Sequence, residues 1–456
     1  MDEPENEPEN EPENEPENEP ETDTTASASA WASERPTGEG GYDVVVVGAS
    51  LAGCTAAILL ARRGARVALL ERHSDPEAYK VLCTHAITAC AYPVLDELGL
   101  VPDLEKAGAV RNEARWYTRW GWIVPKAAPG GPELPYAYNV RRSTLDPLLR
   151  SRAAATPGVD LLLGHKVTGL LQEGGRTAGV RATAQGGGER ELRARLVVGA
   201  DGKDSAVARL AGIPTRRHEN RRFGYLAHYR NLPLPGGIGQ TWFLEPDMAY
   251  SFPNDDGVTV LAVVPDKKHL PAFREDLEGA FEAFVRALPE APPLDSAERV
   301  SKIIGMVDHP LVTREPTAPG LALVGDAALT GDPLWGTGCG WAFQTAHWLA
   351  EAVAPAATGR GDLDRSLAAY SRTHRRRLRP HQQIAVDFAR SRPFNPMERL
   401  MFSAAARDEG AARHMYFFSA RLIGPLGFLN PASVARAAAV NLRHRFAPAA
   451  GARRVS

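Results

Sequence analysis

The run Tyr42-Asp43-Val44-Val45-Val46-Val47-Gly48-Ala49-Ser50-Leu51-Ala52-Gly53 constrains this chain more than any other segment. Four consecutive valines without polar alternation predict a strand buried on both faces, as in a parallel sheet. Gly48 allows a tight turn. Small residues at Ser50 and Gly53 let backbone approach a pyrophosphate and let the next helix pack on the strand. That helix, predicted from about Leu51 to Arg63, aims free N–H groups and a positive dipole end at the pyrophosphate. A second strand, Ala65 to Leu70, ends at Glu71, whose carboxylate can accept from ribose hydroxyls. Glu71 lies 23 positions after Gly48, near the roughly 20 expected of a dinucleotide site. Ser50 stands where the G-x-G-x-x-G pattern has its middle glycine. A strand–turn–helix without a ligand is the plainer alternative; strand, helix and Glu71 together favour nucleotide binding.

Two later segments narrow the reading. One is Val197-Val198-Gly199-Ala200-Asp201-Gly202; the other is Leu323-Val324-Gly325-Asp326, followed by Pro333, Gly336, Gly338 and Gly340. An aspartate after a buried strand can bind ribityl hydroxyls. A glycine-rich loop opening a helix (Cys339 to Val353) can aim N–H dipoles at the pyrimidine end of a flavin ring, where reduced flavin is negative. In their order and spacing the three motifs resemble the FAD-dependent monooxygenase superfamily of the para-hydroxybenzoate hydroxylase fold, which includes geranylgeranyl reductases and flavin halogenases. The resemblance covers residues 41–380.

The resemblance implies roles residue by residue. Asp201 and Gly202, with Ser205 and Arg209, match a motif that contacts the flavin side and is tied to reduced-nicotinamide use. Gly325 and Asp326 match the motif that holds the ribityl chain. Pro333, Gly336, Gly338 and Gly340 match the loop that passes close to the isoalloxazine ring. Arg142 matches a position touching the FAD nucleotide, and Lys80 lies where the chain returns beside the cofactor. Either basic residue also reads as a solvated surface charge. No His or Cys occupies a flavinylation position, so FAD is expected to bind non-covalently, with NAD(P)H as co-substrate.

The fold class expected is α/β: an interrupted Rossmann-type FAD-binding domain (41–212 and 300–380), an inserted antiparallel-sheet substrate domain (213–299) and a C-terminal helical segment (381–456). The sheet is predicted from short β-rich runs at Arg222 to Arg230, Gln240 to Leu244, Ala249 to Pro253 and Thr259 to Val264. Residues 1–40 read as an acidic disordered tail: residues 2–21 repeat Glu-Pro-Glu-Asn and 22–40 are rich in Ser, Thr, Ala and Gly, and neither stretch can bury a core. Residues 1–23 hold twelve acids and no Lys or Arg, so the net charge of −2 hides a body of +10, from 53 bases against 43 acids. A basic body suits anionic FAD and NAD(P)H. The basic run His374-Arg375-Arg376-Arg377-Leu378-Arg379 follows a helical pattern, which favours a solvated helix face over nucleic-acid binding.

The head lacks a basic start and an apolar core, so no secretory signal is expected. No run of about 18 apolar residues predicts a membrane span. The four cysteines, at 54, 83, 90 and 339, form no CxxC pair and no zinc spacing, which suggests free thiols, no metal and a reducing cytoplasm.

The substrate side is less determined. His85 is the candidate to orient or deprotonate a phenol, and Tyr225, His228, Trp242 and Tyr250 are candidates to line the pocket. Core packing is the alternative for each. The halogenase-like run Trp120-Gly121-Trp122-Ile123-Val124-Pro125 lies before Asp201, on the wrong side of that motif. Met248-Ala249-Tyr250-Ser251-Phe252-Pro253 resembles the reductases' Y-x-W-x-F-P with both aromatic anchors changed. Hydroxylation or epoxidation of a small aromatic or polyketide-like metabolite, through a flavin C4a-hydroperoxide formed with O2, therefore ranks first. Reduction of C=C bonds follows, then halogenation; a non-enzymatic flavin-binding protein is the alternative from another class. Residues 390–446 look helical and apolar, as a lid, a dimer surface, a lipid-facing patch or ordinary core.

Overall fold

The computed structural model describes residues 41–332 and 335–446. The expectations for residues 1–40 and for Pro333 lie outside the described residues.

The first strand, β1 (Tyr42–Val47), turns at Gly48 into helix α1 (Leu51–Arg62) and returns as β2 (Val67–Leu70). All residues of α1 from Leu51 to Ala61 are buried, because the helix is covered on both sides; its lack of an amphipathic stripe follows. The chain then leaves this unit. It forms the hairpin β3 (Ala114–Thr118) and β4 (Gly121–Ile123), helix α2 (Arg142–Ala154), and strands β5 (Val159–Leu162) and β6 (Glu189–Gly199).

Strand β6 runs parallel to β1, with Val44 opposite Leu196 and Val47 opposite Gly199. β2 pairs with β1 on the other side, and β5 pairs with β2. The interrupted dinucleotide fold expected from sequence is therefore present, with its second motif brought beside its first.

The second sheet is built from β7 (Gly224–Arg230), β8 (Gly239–Leu244), β9 (Asp247–Pro253) and β10 (Thr259–Val264). These pair antiparallel in the order β7-β10-β9-β8. The sheet is wider than the run 213–299 predicts. Strand β3 joins it parallel to β8, with Trp116 opposite Thr241, and β4 forms its edge. Ile304–Met306 adds to the β7 side. The Trp120-Gly121-Trp122 segment thus runs from the turn into the second strand of an added hairpin. Trp120 stacks on Phe394 with ring centroids 6.2 Å apart, and Trp122 meets Trp242 edge-on at 6.0 Å.

The third parallel motif follows β11 (Leu321–Leu323), which pairs with β6. Helix α3 (Gly338–Ala357) packs back on α1, and α4 (Leu363–Ala389) packs on α3. In α4 the basic run behaves as a helix with two faces. His374 and Leu378 are buried, while Arg375 and Arg379 pair with Glu315 at the surface.

Helices α5 (Pro396–Ala405), α6 (Glu409–Ser419) and α7 (Pro431–Phe446) end the described chain. Asn395 opens α5 with a capping box to Glu398, a device that fixes a helix start. Met415, Tyr416 and Phe418 of the apolar run are buried, as are Phe388, Phe394, Met401 and Phe402. They form one core with Leu226, Phe243, Met248, Tyr250, Val260 and Ala262 of the second sheet. The C-terminal segment is therefore a packed wall over one sheet face, and each large side chain buried there contributes about 1.5–3 kcal/mol. The opposite face carries Ala227, Tyr229, Trp242, Ala249 and Val263, under Phe273, Phe281 and Val285 of two short helices. No helix among the described residues is long and apolar enough to cross a membrane.

Candidate FAD and substrate site

The nucleotide end is organised by close approach. Gly48 has φ +103°, and a Cβ there would lie 2.6 Å from the Ala200 carbonyl oxygen. A Cβ on Gly53 would lie 1.7 Å from the Gly48 carbonyl oxygen. Ser50, the residue before α1, is extended and its side chain does not cap the helix. Among the described residues no protein acceptor meets the N–H groups of Leu51, Ala52 and Gly53. Helix N–H groups left without acceptors in a buried setting suit an anionic ligand.

The departure at Ser50 has a structural reason. Its hydroxyl turns inward and accepts from Arg142 Nη2 at 2.6 Å. Arg142 is buried and paired with buried Asp146, whose Oδ1 accepts from Arg142 Nε at 2.9 Å and Nη2 at 2.8 Å. Arg142 is thus placed at the nucleotide turn, but its donors serve protein acceptors: it braces the turn. Glu71 also acts locally, its Oε2 accepting from the Ala49 N–H at 2.9 Å and its Oε1 from the His73 N–H at 3.1 Å.

Asp201 accepts from the Ser205 hydroxyl at 2.6 Å and from the Val207 N–H at 3.0 Å. It fixes the start of the short helix Ala206–Leu210, while Gly202 supplies the left-handed residue (φ +79°) in between. Arg314, which sequence reasoning missed, joins this loop to the third motif. Its guanidinium donates to Thr215 Oγ1, the Lys203 carbonyl and the Ala327 carbonyl, each at 2.7–2.8 Å. Nothing in the sequence around Arg314 distinguishes it from a surface arginine.

At the third motif the Gly325 N–H donates to Thr345 Oγ1 at 2.9 Å, and the Asp326 carboxylate is left facing Lys80 Nζ at 3.1 Å. The Lys80 N–H in turn donates to Asp146 at 3.0 Å. Gly336 has φ +59°. A Cβ on Gly338, at the start of α3, would meet nothing within 4 Å, whereas one on Gly340 would strike Thr88 Oγ1. The start of α3, like that of α1, has no side-chain cap. Two uncapped helix starts, an aspartate at the end of a parallel strand and turns at Gly48, Gly53 and Gly340 that admit no Cβ fit a dinucleotide carrying a flavin ring.

The four sheet candidates divide by face. Tyr250 is buried on the side that meets the C-terminal helices, stacked on Phe252 at 5.0 Å. His228 reaches His85, the two Nε2 atoms 3.0 Å apart. Tyr225 and Trp242 stand on the other face: Tyr225 stacks on Phe273, and Trp242 donates from Nε1 to the Pro289 carbonyl. Strand side chains alternate, so these two leave the candidate pocket.

His85 is buried and has φ +61°, a conformation unusual for a side chain of this kind. Its Nδ1 accepts from the Arg142 N–H at 3.3 Å, which leaves the neutral ring's proton on Nε2. Nε2–H then donates to His228 Nε2. His228 Nδ1–H lies 3.3 Å from Ser301 Oγ, and that hydroxyl donates to the Lys302 carbonyl at 2.9 Å. Burial, with the neighbouring His85 and Arg141, pulls His228 down to about 4, so it is a neutral acceptor near pH 7.

Comparison with known proteins agrees with this geometry. Residues 41–388 match the family described as FAD binding domain. The chain is 33% identical over 327 residues to a 6-methylpretetramide 4-monooxygenase of Streptomyces rimosus, covering 68% of this chain and 75% of that one. It is 31% identical over 402 residues to a kynurenine 3-monooxygenase of Salinispora arenicola, covering 81% and 84%. A solved flavin-dependent brominase superposes with a TM-score of 0.71 at 21% identity, covering 89% of this chain and 99% of that one, which speaks for the fold. The chain belongs to the FAD binding domain family, an FAD-dependent oxidoreductase of the monooxygenase superfamily its three motifs point to.

Proposed function

We propose that the protein is an NAD(P)H-using monooxygenase that inserts one oxygen atom into a small aromatic or polyketide-like metabolite. The observation that carries this reading is the hydrogen-bonded His85–His228 pair between the cofactor motifs and the sheet. Bound reduced FAD supplies the activated oxygen. The chain's own part is orientation, a dry pocket and proton control.

A substrate hydroxyl that enters between the two imidazoles meets a donor, His85 Nε2–H, and an acceptor, His228 Nε2. Ser301 Oγ, 3.3 Å from His228 Nδ1, favours the tautomer in which His228 Nε2 accepts from the substrate hydroxyl. Tyr250, Phe252 and the aromatic wall of the C-terminal helices keep water from the reacting carbon. Lys80 and Asp326, 3.1 Å apart, would hold the ribityl hydroxyls of bound FAD.

Two features support oxygenation over its rivals. Both curated relatives described above are monooxygenases, acting on 6-methylpretetramide and on kynurenine by their names. Trp120 stacks on Phe394 of the C-terminal wall and Trp122 meets Trp242 on the far sheet face, and both lie before Asp201, unlike the tryptophans a halogenase carries after that motif.

His228→Ala is expected to lower kcat by about 100-fold, the lower end for a lost proton-transfer group, with FAD content unchanged. His85→Asn, which tolerates the positive φ, should lower it similarly. Steady-state consumption of NAD(P)H and O2 with substrate checks both variants. Unchanged kcat in both would return the pair to a packing role and remove the main support for this reading.

A further inference from the structure

Far apart in sequence, Cys83 and Cys339 meet in the fold. Their sulfurs are 3.8 Å apart. Cys83 sits on the loop that also carries Lys80 and His85; Cys339 is the second residue of α3. Cys83 is half-buried and Cys339 is buried. Around Cys83 Sγ the structure places the His85 N–H at 3.3 Å and Arg142 Nη1 at 3.9 Å. A thiol hydrogen bond from Cys339, N–H donation by His85 and the Arg142 charge together hold the Cys83 thiol well below the usual range against the effect of burial. Such surroundings make a thiolate reactive. The remaining thiols differ. Cys54 is wholly enclosed and pushed up by burial, and Cys90 is pushed up to about 11 by burial despite its contact with Thr88.

We propose that Cys83 and Cys339 form a peroxide-oxidisable dithiol, a modification site that closes into a disulfide across the mouth of the cofactor cleft. Sulfurs already in contact need to close to only about 2 Å for the bond, a movement within reach of side-chain rotation. The Cys83 thiolate attacks one oxygen of hydrogen peroxide, forming a sulfenic acid and releasing hydroxide, which takes up a proton to become water. Cys339 sulfur then attacks the Cys83 sulfur. The S–O bond breaks, the S–S bond forms, and the hydroxyl leaves as a second water with the Cys339 proton. Two thiols lose two electrons and one peroxide gains them; a dithiol reductant reverses the change. The bond ties the loop holding Lys80 and His85 to the start of α3, two walls of the FAD site. The inference holds whether or not the bound flavin transfers oxygen to a substrate.

The test uses the FAD-loaded full chain treated with one to a few equivalents of hydrogen peroxide. The intact mass is expected to fall by about 2 Da, two of the four thiols should be lost, and a peptide linking Cys83 to Cys339 should appear. Dithiothreitol should restore all four. Cys83→Ser and Cys339→Ser should each abolish the linked peptide. A gain of about 32 Da at Cys83 with the Cys339 thiol intact, or four thiols surviving in the wild type, overturns the proposal without reference to either variant's folding.

Discussion

Gly53→Ala is expected to yield a colourless protein. The added methyl would sit 1.7 Å from the Gly48 carbonyl oxygen and 3.2 Å from the Ala200 side chain. Neither backbone can yield easily. Gly48 is held by its N–H to the Leu70 carbonyl at 2.7 Å, and Ala200 by its N–H to the Val47 carbonyl at 2.8 Å. The helix start must therefore tilt away, taking its unpartnered N–H groups from the pyrophosphate. Overpacking of this kind costs about 1–3 kcal/mol, and displaced phosphate contacts add to it, so FAD affinity should fall by about 100-fold or more. Flavin absorbance after purification, and titration of the apoprotein with FAD, measure it. Stoichiometric FAD in Gly53→Ala would contradict the placement of the nucleotide.

Arg222→Leu should destabilise the protein by about 3–5 kcal/mol. The Arg222 and Asp332 side chains are both fully buried and 3.0 Å apart. Arg222 also donates to the Phe388 carbonyl at 2.9 Å and lies over the Phe388 ring. One guanidinium thus ties the second sheet, the glycine-rich loop and helix α4 together. Removing it takes from the buried Asp332 its fully buried cationic partner, and breaking a buried pair by losing one member is costly. Thermal unfolding should begin on the order of 10 °C lower. The double replacement Arg222→Met with Asp332→Leu should recover part of the loss, since apolar side chains of similar size can replace a buried ion pair. An unchanged unfolding temperature in the single variant would show that the pair is dispensable.

The parts legible in the sequence are those set by local backbone chemistry. Val44 to Val47 could only be a two-sided buried strand, and Gly48 and Gly53 stand where the geometry admits no Cβ. The boundaries of Thr259–Val264 and Tyr42–Val47 follow from the runs themselves. Sheet faces were harder. In Gly239–Leu244 the residues from Gly239 to Phe243 are all buried, so no polar alternation reveals which way Trp242 points. The parallel pairing of Ala114–Thr118 with that strand is carried by contacts more than 100 positions apart, for which no turn signal exists.

Several motif residues also carry local tasks that the sequence does not announce. Asp201 and Glu71 read as ligand groups and are engaged in holding backbone N–H groups of their own turns. Arg142 read as a cofactor contact, and its Nε and Nη2 donate to Asp146 and Ser50. Arg314, Arg222 and Ser301 gave no signal because a buried arginine and a hydrogen-bonding serine look like surface residues until the fold surrounds them. Cys83 and Cys339 read as isolated thiols, since only the return of α3 against the first Rossmann unit brings them together.

The oxygenase claim is tested most directly by isotope tracing. The FAD-loaded protein is incubated with NADPH or NADH, 18O-labelled O2, and a panel of kynurenine-type and fused-ring aromatic polyketide substrates. The account predicts a product carrying a single labelled oxygen atom, formed with consumption of NAD(P)H. A saturated product formed without O2, or a halide-dependent halogenated product without label, would contradict it.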